Sequence, residues 1–327
     1  MKSLNYYINE KLIIKKRKIV DYKYFPQTKK ELQEIILQRI KKEGKEVNLN
    51  DIDVSNITDM SGLFSNLNFN GDISNWEVSN VTNMSYMFRG CKSFDRDISN
   101  WDVSNVTDMR YMFSWCESFN QNISNWNVSN VINMFGMFNK CNKFNKPLNN
   151  WDVSNVKEMS YMFQGCELFN QDISNWDVSN VIDMSFMFHG CELFNQDISN
   201  WDVSNVKNMH SMFSICKSFN KDISNWDVYN VKYMTSMFKY CEKFNQDISN
   251  WDVSNVVDMS FMFHGCKSFN QDISNWDVSN VINMDRMFCS CNVFNQDISN
   301  WDVLKVKNSY EIFYYCYIEE KYKPKFK

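Results

Sequence analysis

The amino-acid sequence predicts an α/β solenoid, in which each 25-residue repeat contributes one short parallel strand and one short helix or 3₁₀ turn. Two series of residues carry this prediction. Tryptophans fall 25 residues apart without a slip from Trp76 to Trp301, and cysteines keep the same period from Cys91 to Cys316. Self-similarity at one strict period is typical of a stack in which each unit contacts only its neighbours.

The repeat that begins at Phe169 reads FNQDISNWDVSNVIDMSFMFHGC. We interpret residues 169–176 as the short strand, and residues 177–180 as a corner, because Asp, Ser and Asn side chains bond local backbone groups. After the corner the apolar residues are spaced by three and four, which indicates one face of a short helix or 3₁₀ turn. They are Val181, Met184, Met187, Phe188 and Cys191.

Stacking is expected because one unit has too few apolar side chains to offset the entropy of ordering 25 residues. Equivalent residues of successive turns should therefore form rows of Phe on Phe, Trp on Trp and Cys on Cys. A further expected row joins the side-chain amides of Asn100, Asn125, Asn150 and Asn175 along the stack.

The chain is predicted to divide into four segments. Residues 1–26 form a basic leader that includes KLIIKKRK, interpreted as solvated, with nuclear import or contact with anionic lipid or nucleic acid as the alternatives. Residues 27–50 hold an N-terminal capping helix that begins at the capping box of Thr28 and Glu31 and ends at Gly44. The solenoid covers residues 51–316, and residues 317–327 are a polar tail.

The repeat phrase also resembles a known family. Met-Phe-x-x-Cys, as at residues 112–116, and Asp-Val-Ser-Asn-Val, as at residues 102–106, resemble the BspA-like repeat of bacterial surface proteins, of the DUF285 type. That repeat, about 26 residues long, is a branch of the leucine-rich repeats. The resemblance covers roughly residues 51–316. It implies a leucine-rich-repeat-like right-handed stack, in a family whose members are known mostly as surface, adhesion or uncharacterised proteins.

Composition and motifs narrow the function. A net charge of −4 and a pI near 5.5 argue against a general nucleic-acid binder. No run of apolar residues is long enough for a membrane span, and we find no signal peptide or lipid-attachment site, so a cytoplasmic or non-classically exported protein is expected, although relatives are often at the cell surface. The three histidines form no recurring catalytic arrangement, so neither an enzyme nor a cofactor is predicted.

The regular cysteines are predicted to be buried, unpaired core residues, because each stands alone in its repeat among apolar neighbours. Cys289, outside the regular row, is expected to be the most exposed thiol. Rows of aspartates require an explanation, because stacked carboxylates repel. We favour hydrogen bonds from backbone N–H groups at the corners, and keep a calcium site as the alternative. Its ligands would come from Asp102, Asp177, Asp202, Asp227 and Asp252.

Sequence variation between repeats is concentrated in the predicted helical half. Exposed aromatic and arginine side chains there are typical of protein interfaces. The sequence therefore predicts a scaffold for protein–protein interaction or adhesion through this variable face, with an unidentified partner. The alternatives are glycan binding on the uniform strand face and a purely structural rod, with or without stabilisation by calcium. The candidate partner-binding residues are Arg110, Tyr111, Trp115, Tyr233, Tyr240 and Arg286.

Overall fold

The structure is a computed structural model that describes residues 21–326. Successive 25-residue turns stack in parallel and are joined by isolated parallel β-bridges, one for each pair of neighbouring turns. From Asp59 to Asn308 the bridges form one unbroken row along the stack, for example Asp183 with Asn208. The chain is therefore a repeat solenoid. Residues 1–20, which hold most of the predicted basic leader, lie outside the described residues.

One α-helix, α1 (Lys29–Glu43), lies at the N-terminal end. The Thr28 hydroxyl accepts a hydrogen bond from the Glu31 N–H, and Gly44 follows the last turn with φ of 88°, as the sequence predicts for the two ends of this helix. Leu32 and Ile36 are fully buried against the first turn of the stack. The apolar stripe of α1 is thus part of the same core as the repeats.

In the repeat of residues 169–193, the segment 181–191 bonds to both neighbouring turns through its backbone; we call it and its equivalents the ladder segment. The N–H groups of Met184, Phe186, Phe188 and Gly190 donate to carbonyls of the following turn over 2.8–3.1 Å. The Ile182 N–H donates to the preceding turn. Peptide groups therefore supply most of the bonding between turns here.

The helix or 3₁₀ turn predicted for this segment is not formed, since α1 is the sole α-helix and Glu320–Tyr322 the sole 3₁₀ helix within residues 21–326. Residues 184–191 form tight turns instead, in which Met187, His189 and Cys191 each donate to the carbonyl three residues earlier. Phe186 and Gly190 have φ of 57° and 75°, which a right-handed helix does not allow. The prediction of a helix or 3₁₀ turn was wrong because a succession of tight turns with positive φ buries the same apolar positions.

The strand predicted over residues 169–176 is also absent: the bridges lie in the ladder segment, which the sequence assigned to a helix. We call residues 169–180 and their equivalents the cross-linked segment, because side chains join it to its neighbours. The Asn170 N–H donates to Asn145 Oδ1, the Trp176 indole N–H donates to the Leu148 carbonyl, and Asn180 Nδ2 donates to the Ser154 carbonyl.

The asparagine row is consequently at other positions than predicted. Asn175 Nδ2 donates to the Asn149 carbonyl, not to the amide of its equivalent in the preceding turn. The row that does run through the stack consists of the residues after each cross-linked phenylalanine, where each side-chain oxygen accepts the backbone N–H of the next equivalent. Its members are Asn70, Asp95, Asn120, Asn145, Asn170, Asn195, Asn220, Asn245, Asn270 and Asn295.

The interior is a set of parallel side-chain rows, as the period predicts. Phe188 stacks on Phe213 with ring centroids 5.8 Å apart and planes 5° apart, and Trp176 stacks on Trp201 at 6.4 Å. Methionines from Met60 to Met287 and the regular cysteines from Cys91 to Cys291 fill the space between these rings and are buried. The C-terminal end is covered in part by residues 317–326, with a 3₁₀ helix at Glu320–Tyr322. None of the described helices is long and apolar enough to cross a membrane.

Candidate binding surface

The ladder segments place their variable side chains on one exposed surface, which we call the ladder face. In the repeat of residues 169–193 it is formed by residues 182, 183, 186, 189 and 190, with the small, buried Ser185 among them. Because peptide groups hold these segments together, the outward side chains do not have to be conserved from turn to turn. The ladder face is therefore where differences between repeats accumulate.

A continuous row of aromatic rings crosses the ladder face. Neighbouring rings have centroids 4.6–5.2 Å apart, and the closest pair, Tyr161 and Phe186, is stacked with planes 16° apart. Pairs at this separation attract beyond the area that they bury. Arg89 extends the row at one end, above the Tyr86 ring. The rings, which we call the aromatic row, belong to Tyr86, Tyr111, Phe135, Tyr161, Phe186 and His210.

A glycine in one turn lets a ring of the preceding turn lie flat. A Cβ added to Gly136 would be 2.5 Å from Tyr111 Cε1, and one added to Gly265 would be 2.4 Å from Tyr240 Cδ1. Both glycines also have positive φ, of 57° and 74°. The large ring and the glycine that follows it 25 residues later thus form a pair, with the glycine setting the orientation of the ring.

A second aromatic cluster lies further along the ladder face. The Tyr240 hydroxyl and His264 Nε2 are 2.9 Å apart, and the His264 ring also contacts Phe261 edge-on. Lys239 Nζ lies 4.9 Å from the centroid of the Phe261 ring, and the Arg286 guanidinium lies 5.8 Å from it. This cluster combines rings with cations, whereas the aromatic row consists mainly of rings.

The aromatic row is interrupted between these two regions, where Ser211 and Ser236 occupy the positions equivalent to Phe186 and Phe261. An open depression of ≈ 420 Å³ lies there. Rings, carboxylate and neutral polar groups line it together. The lining residues are Tyr161, Ser185, Phe186, Asn208, His210, Tyr233, Thr235 and Asp258.

Comparison with known proteins gives the family. The model described as "Mycoplasma protein of unknown function, DUF285" matches three times, over residues 32–151, 136–244 and 212–323. The chain belongs to the DUF285 family. The DUF285 type that the sequence predicts for its repeats is thereby confirmed. No curated protein matches this chain.

Among solved structures, a leucine-rich repeat protein from Bacteroides ovatus is similar to this DUF285 chain. The identity is 14%, the TM-score is 0.40, and the alignment covers 85% of this chain and 87% of the other.

The six candidate partner-binding residues are distributed along the ladder face of the DUF285 stack and do not converge on one point. Tyr111 belongs to the aromatic row, Tyr233 lines the depression, and Tyr240 belongs to the second cluster. Trp115 is 43% exposed, close to the aromatic row in sequence but without a ring contact to it.

The two candidate arginines are already paired within the chain. Arg110 forms an ion pair with Asp108 at 2.6 Å. Arg286 forms one with Glu311 at 2.8 Å and lies over the rings of Phe261 and Tyr310. Both arginines therefore help to build the ladder face, in which a guanidinium beside a carboxylate is a recurring arrangement.

Five members of the aromatic row were not among the candidate partner-binding residues: Tyr86, Phe135, Tyr161, Phe186 and His210. Tyr161 and Phe186 follow a methionine by two residues, as Tyr111 does, so a column-by-column alignment of the repeats shows them. Phe135 and His210 instead come directly after a methionine. Their contact with the row depends on tight turns that bring both outward positions together, which a helical interpretation does not provide.

Burial affects the histidines of the ladder face. Desolvation lowers the pKa of His210, against the opposing effect of the Asp258 and Asp183 carboxylates. Desolvation is also the main cause of the lowered pKa values of His189 and His264. At neutral pH these imidazoles are uncharged, so the aromatic row and the second cluster receive no additional positive charge from them.

The aspartate rows bond to the corners of the DUF285 turns. Asp177 Oδ1 accepts the backbone N–H and the hydroxyl of Ser179, which lowers the pKa of this carboxyl. Asp102, Asp202 and Asp252 accept equivalent serine N–H groups, and Asp227 accepts the Tyr229 N–H. Within residues 21–326, no group of three or more His, Cys, Asp or Glu side chains is arranged to hold a metal ion.

The thiols are held in the core. Cys191 Sγ–H donates to the Phe163 carbonyl at 3.0 Å, and equivalent bonds recur along the row. Burial raises the pKa of Cys91 to about 12 and that of Cys316 to about 11. The expectation for Cys289 was wrong, because its side chain is buried and only 4% exposed. Cys316, in the last turn, is the least buried thiol.

Proposed function

We propose that this chain is a non-enzymatic scaffold that binds a segment of another protein along the ladder face. The aromatic row is the observation that supports this most directly. Six rings follow one another across six turns of a surface whose fold does not require them there. Aromatic side chains dominate the binding energy of protein interfaces. An extended segment that runs along the stack contacts several of these rings at once.

The orientation of the rings favours a protein segment over a glycan. Tyr161 and Phe186 cover each other's faces at 4.6 Å, so they present edges to the solvent. A sugar ring packs best on an open aromatic face, whereas peptide side chains also pack against ring edges and bond to tyrosine hydroxyls. In the cross-linked segment, the alternative glycan surface, the amides of Asn170 and Asn180 are already bonded within the stack.

A display selection of random peptides against the full chain tests this proposal. We expect the selected peptides to lose at least tenfold in affinity when Tyr161 and Phe186 are replaced by alanine. The matched control is Leu168→Ala with Leu193→Ala, since Leu168 and Leu193 are 46% and 49% exposed but lie outside the ladder face. Equal losses of peptide affinity for the two double variants would refute the proposal. Selected peptides that bind equally well to the Tyr161→Ala, Phe186→Ala variant would refute it too.

Trp115→Gly gives a second test with a defined stability outcome. Trp115 has φ of 62°, and the equivalent residues Gly90 and Gly165 are glycines. The left-handed conformation costs a non-glycine residue about 1–2 kcal/mol. The variant should therefore unfold at the same or higher denaturant concentration while binding the selected peptides more weakly. Weaker binding accompanied by lower stability would mean that Trp115 is structural.

A further inference from the structure

We propose that the depression between the two aromatic regions binds the guanidinium of an arginine from the protein segment. This inference rests on the proposed function and names the side chain that the segment inserts. The depression offers a carboxylate, Asp258, beside the rings of His210 and Tyr233. Tyr233 is 48% exposed. A planar cation stacks on such rings and bonds to a carboxylate at the same time.

The chain itself contains this arrangement at another place on the ladder face. Arg286 lies 5.8 Å and 5.3 Å from the centroids of the Phe261 and Tyr310 rings and pairs with Glu311 at 2.8 Å. Rings, carboxylate and guanidinium thus occur together within neighbouring turns. The depression has the rings and the carboxylate, but its lining contains no arginine or lysine.

The acidic residues of one column show the same difference. The acidic residues of this column are Asp108, Glu158, Asp183 and Asp258 in the 25-residue repeats, and Asp59 in the first turn. Asp108 is neutralised by Arg110 two residues later, whereas serines occupy that place after Asp183 and Asp258. Asp183 accepts bonds from Ser185 and Asn208, and Asp258 accepts bonds from Ser260 and Asn283. In the part of the chain that the structure describes, neither forms an ion pair.

The neighbouring charges are compatible with a bound cation. Both Asp183 and Asp258 act electrostatically on the His210 ring, which burial keeps neutral. Lys207 and Lys232 immediately precede Asn208 and Tyr233 in the sequence, and their exposed side chains bond to neither carboxylate. The depression therefore retains a carboxylate without an ion-pair partner within residues 21–326. Asp258 Oδ2 accepts one bond, from Asn283, so it can accept one more from a guanidinium that stacks on the neighbouring rings.

A short peptide with one central arginine, acetylated and amidated at its ends, is the probe. Its matched controls are the same peptide with citrulline, which is isosteric but neutral, and with lysine. In a titration of the full chain followed by the NMR signals of the His210 ring, arginine should bind at least tenfold more tightly than citrulline and more tightly than lysine. Equal binding of the arginine and citrulline peptides would overturn the inference.

Asp258→Asn tests the carboxylate without disturbing the fold, because asparagine occupies the same column at Asn133, Asn208 and Asn283. This variant should lose most of the preference for arginine. Asp108→Asn, whose carboxylate is already paired, is the control and should retain the preference. An equal effect of both substitutions would contradict the inference.

The two proposals fail in different ways. If peptides from the display selection need Tyr161 and Phe186 but are indifferent to Asp258→Asn, the scaffold function stands and the arginine site is wrong. If the arginine preference is found but selected peptides ignore the aromatic row, the site stands and the function proposed for the whole ladder face is wrong.

Discussion

In the ladder segment peptide groups bond to peptide groups, whereas in the cross-linked segment side chains bond one turn to the next. Met184 and Phe186 use their backbone N–H groups for this purpose, while Asn170, Trp176 and Asn180 use an amide, an indole and a second amide. The sequences of the two segments differ accordingly. Position 182 and its equivalents hold Thr, Ile, Lys or Val, but the position of Trp176 holds tryptophan in all ten equivalents.

The comparison shows why one half of each repeat is free to vary. A bond between peptide groups is available to any residue except proline, so it places no demand on the side chain. A bond from an indole or an amide fixes the residue type in every turn. The near-identity of the cross-linked segments is thus a requirement of the stack, and the ladder face is left to carry whatever binding specificity the protein has.

Replacing a cross-linking tryptophan should produce the largest loss of stability. Trp201→Ala removes a stacked, buried ring and its bond to the Ile173 carbonyl, so we expect a loss of roughly 3–5 kcal/mol in urea unfolding. Trp201→Phe keeps much of the burial and should cost less. Ile182→Ala in the ladder segment should change stability by less than about 0.5 kcal/mol. Losses of stability of similar size for Trp201→Ala and Ile182→Ala would contradict the difference proposed between the two segments.

Replacing one member of the asparagine row should have an intermediate effect. Asn195 Oδ1 accepts the Asn220 N–H at 3.0 Å, so Asn195→Ala leaves that donor without its partner and should cost about 1–2 kcal/mol. Asn195→Asp keeps the acceptor and should cost less, since Asp95 fills this role in its own turn by accepting the Asn120 N–H. The measurement is again urea unfolding. Alanine no worse than aspartate would show that this bond contributes nothing.

The sequence was sufficient for the stack and insufficient for the path of the chain within a turn. The period identified the repeat, the buried rows of Phe, Trp and Cys, and the helix that begins after Thr28. The assignments of strand and helix were wrong, because apolar spacing reports which residues face inward and not the backbone dihedrals between them. The positive φ of Phe186 is such a case, since phenylalanine gives no local signal for that conformation.

The same limit applies to the candidate surface. Variation between repeats identified Tyr111, Tyr233 and Tyr240 as outward residues. The sequence did not show that Phe135 and His210 join the rings of the neighbouring turns, because that contact depends on adjacent outward positions in a tight turn. The depression was also missed, since it lies where Ser211 and Ser236 stand at positions that hold an aromatic ring in other turns.

Alanine substitutions at two glycines of the ladder segment distinguish the cost of backbone strain from the cost of displacing a neighbouring ring. Gly190 and Gly265 have nearly the same φ, 75° and 74°, so alanine should cost about 1–2 kcal/mol of strain at either. At Gly190 the added Cβ has no atom nearer than 3.6 Å, whereas at Gly265 it meets the Tyr240 ring at 2.4 Å. Gly265→Ala should therefore cost more, and should also shift the NMR signals of His264 by breaking its bond to Tyr240. Unchanged His264 signals would contradict the pairing of ring and glycine.

Acidification should have the smallest effect on stability, and it should act on the ladder segment and the cross-linked segment in different pH ranges. In the ladder segment, burial lowers the pKa values of His189, His210 and His264 from 6.5, so the unfolded chain binds protons first and stability falls as the pH drops below about 6.5. In the cross-linked segment, bonds from Ser174 and Ser179 lower the pKa values of Asp172 and Asp177 from 3.8. Their contribution is complete above that value and is lost as the pH falls below it.

Urea midpoints measured from pH 8 to pH 3 should thus decline in two stages, and replacing the three histidines by glutamine should remove the first stage alone. If that variant kept the decline between pH 6.5 and pH 5, the histidines would not be its cause, and the ladder segment would be as insensitive to mild acid as the cross-linked one.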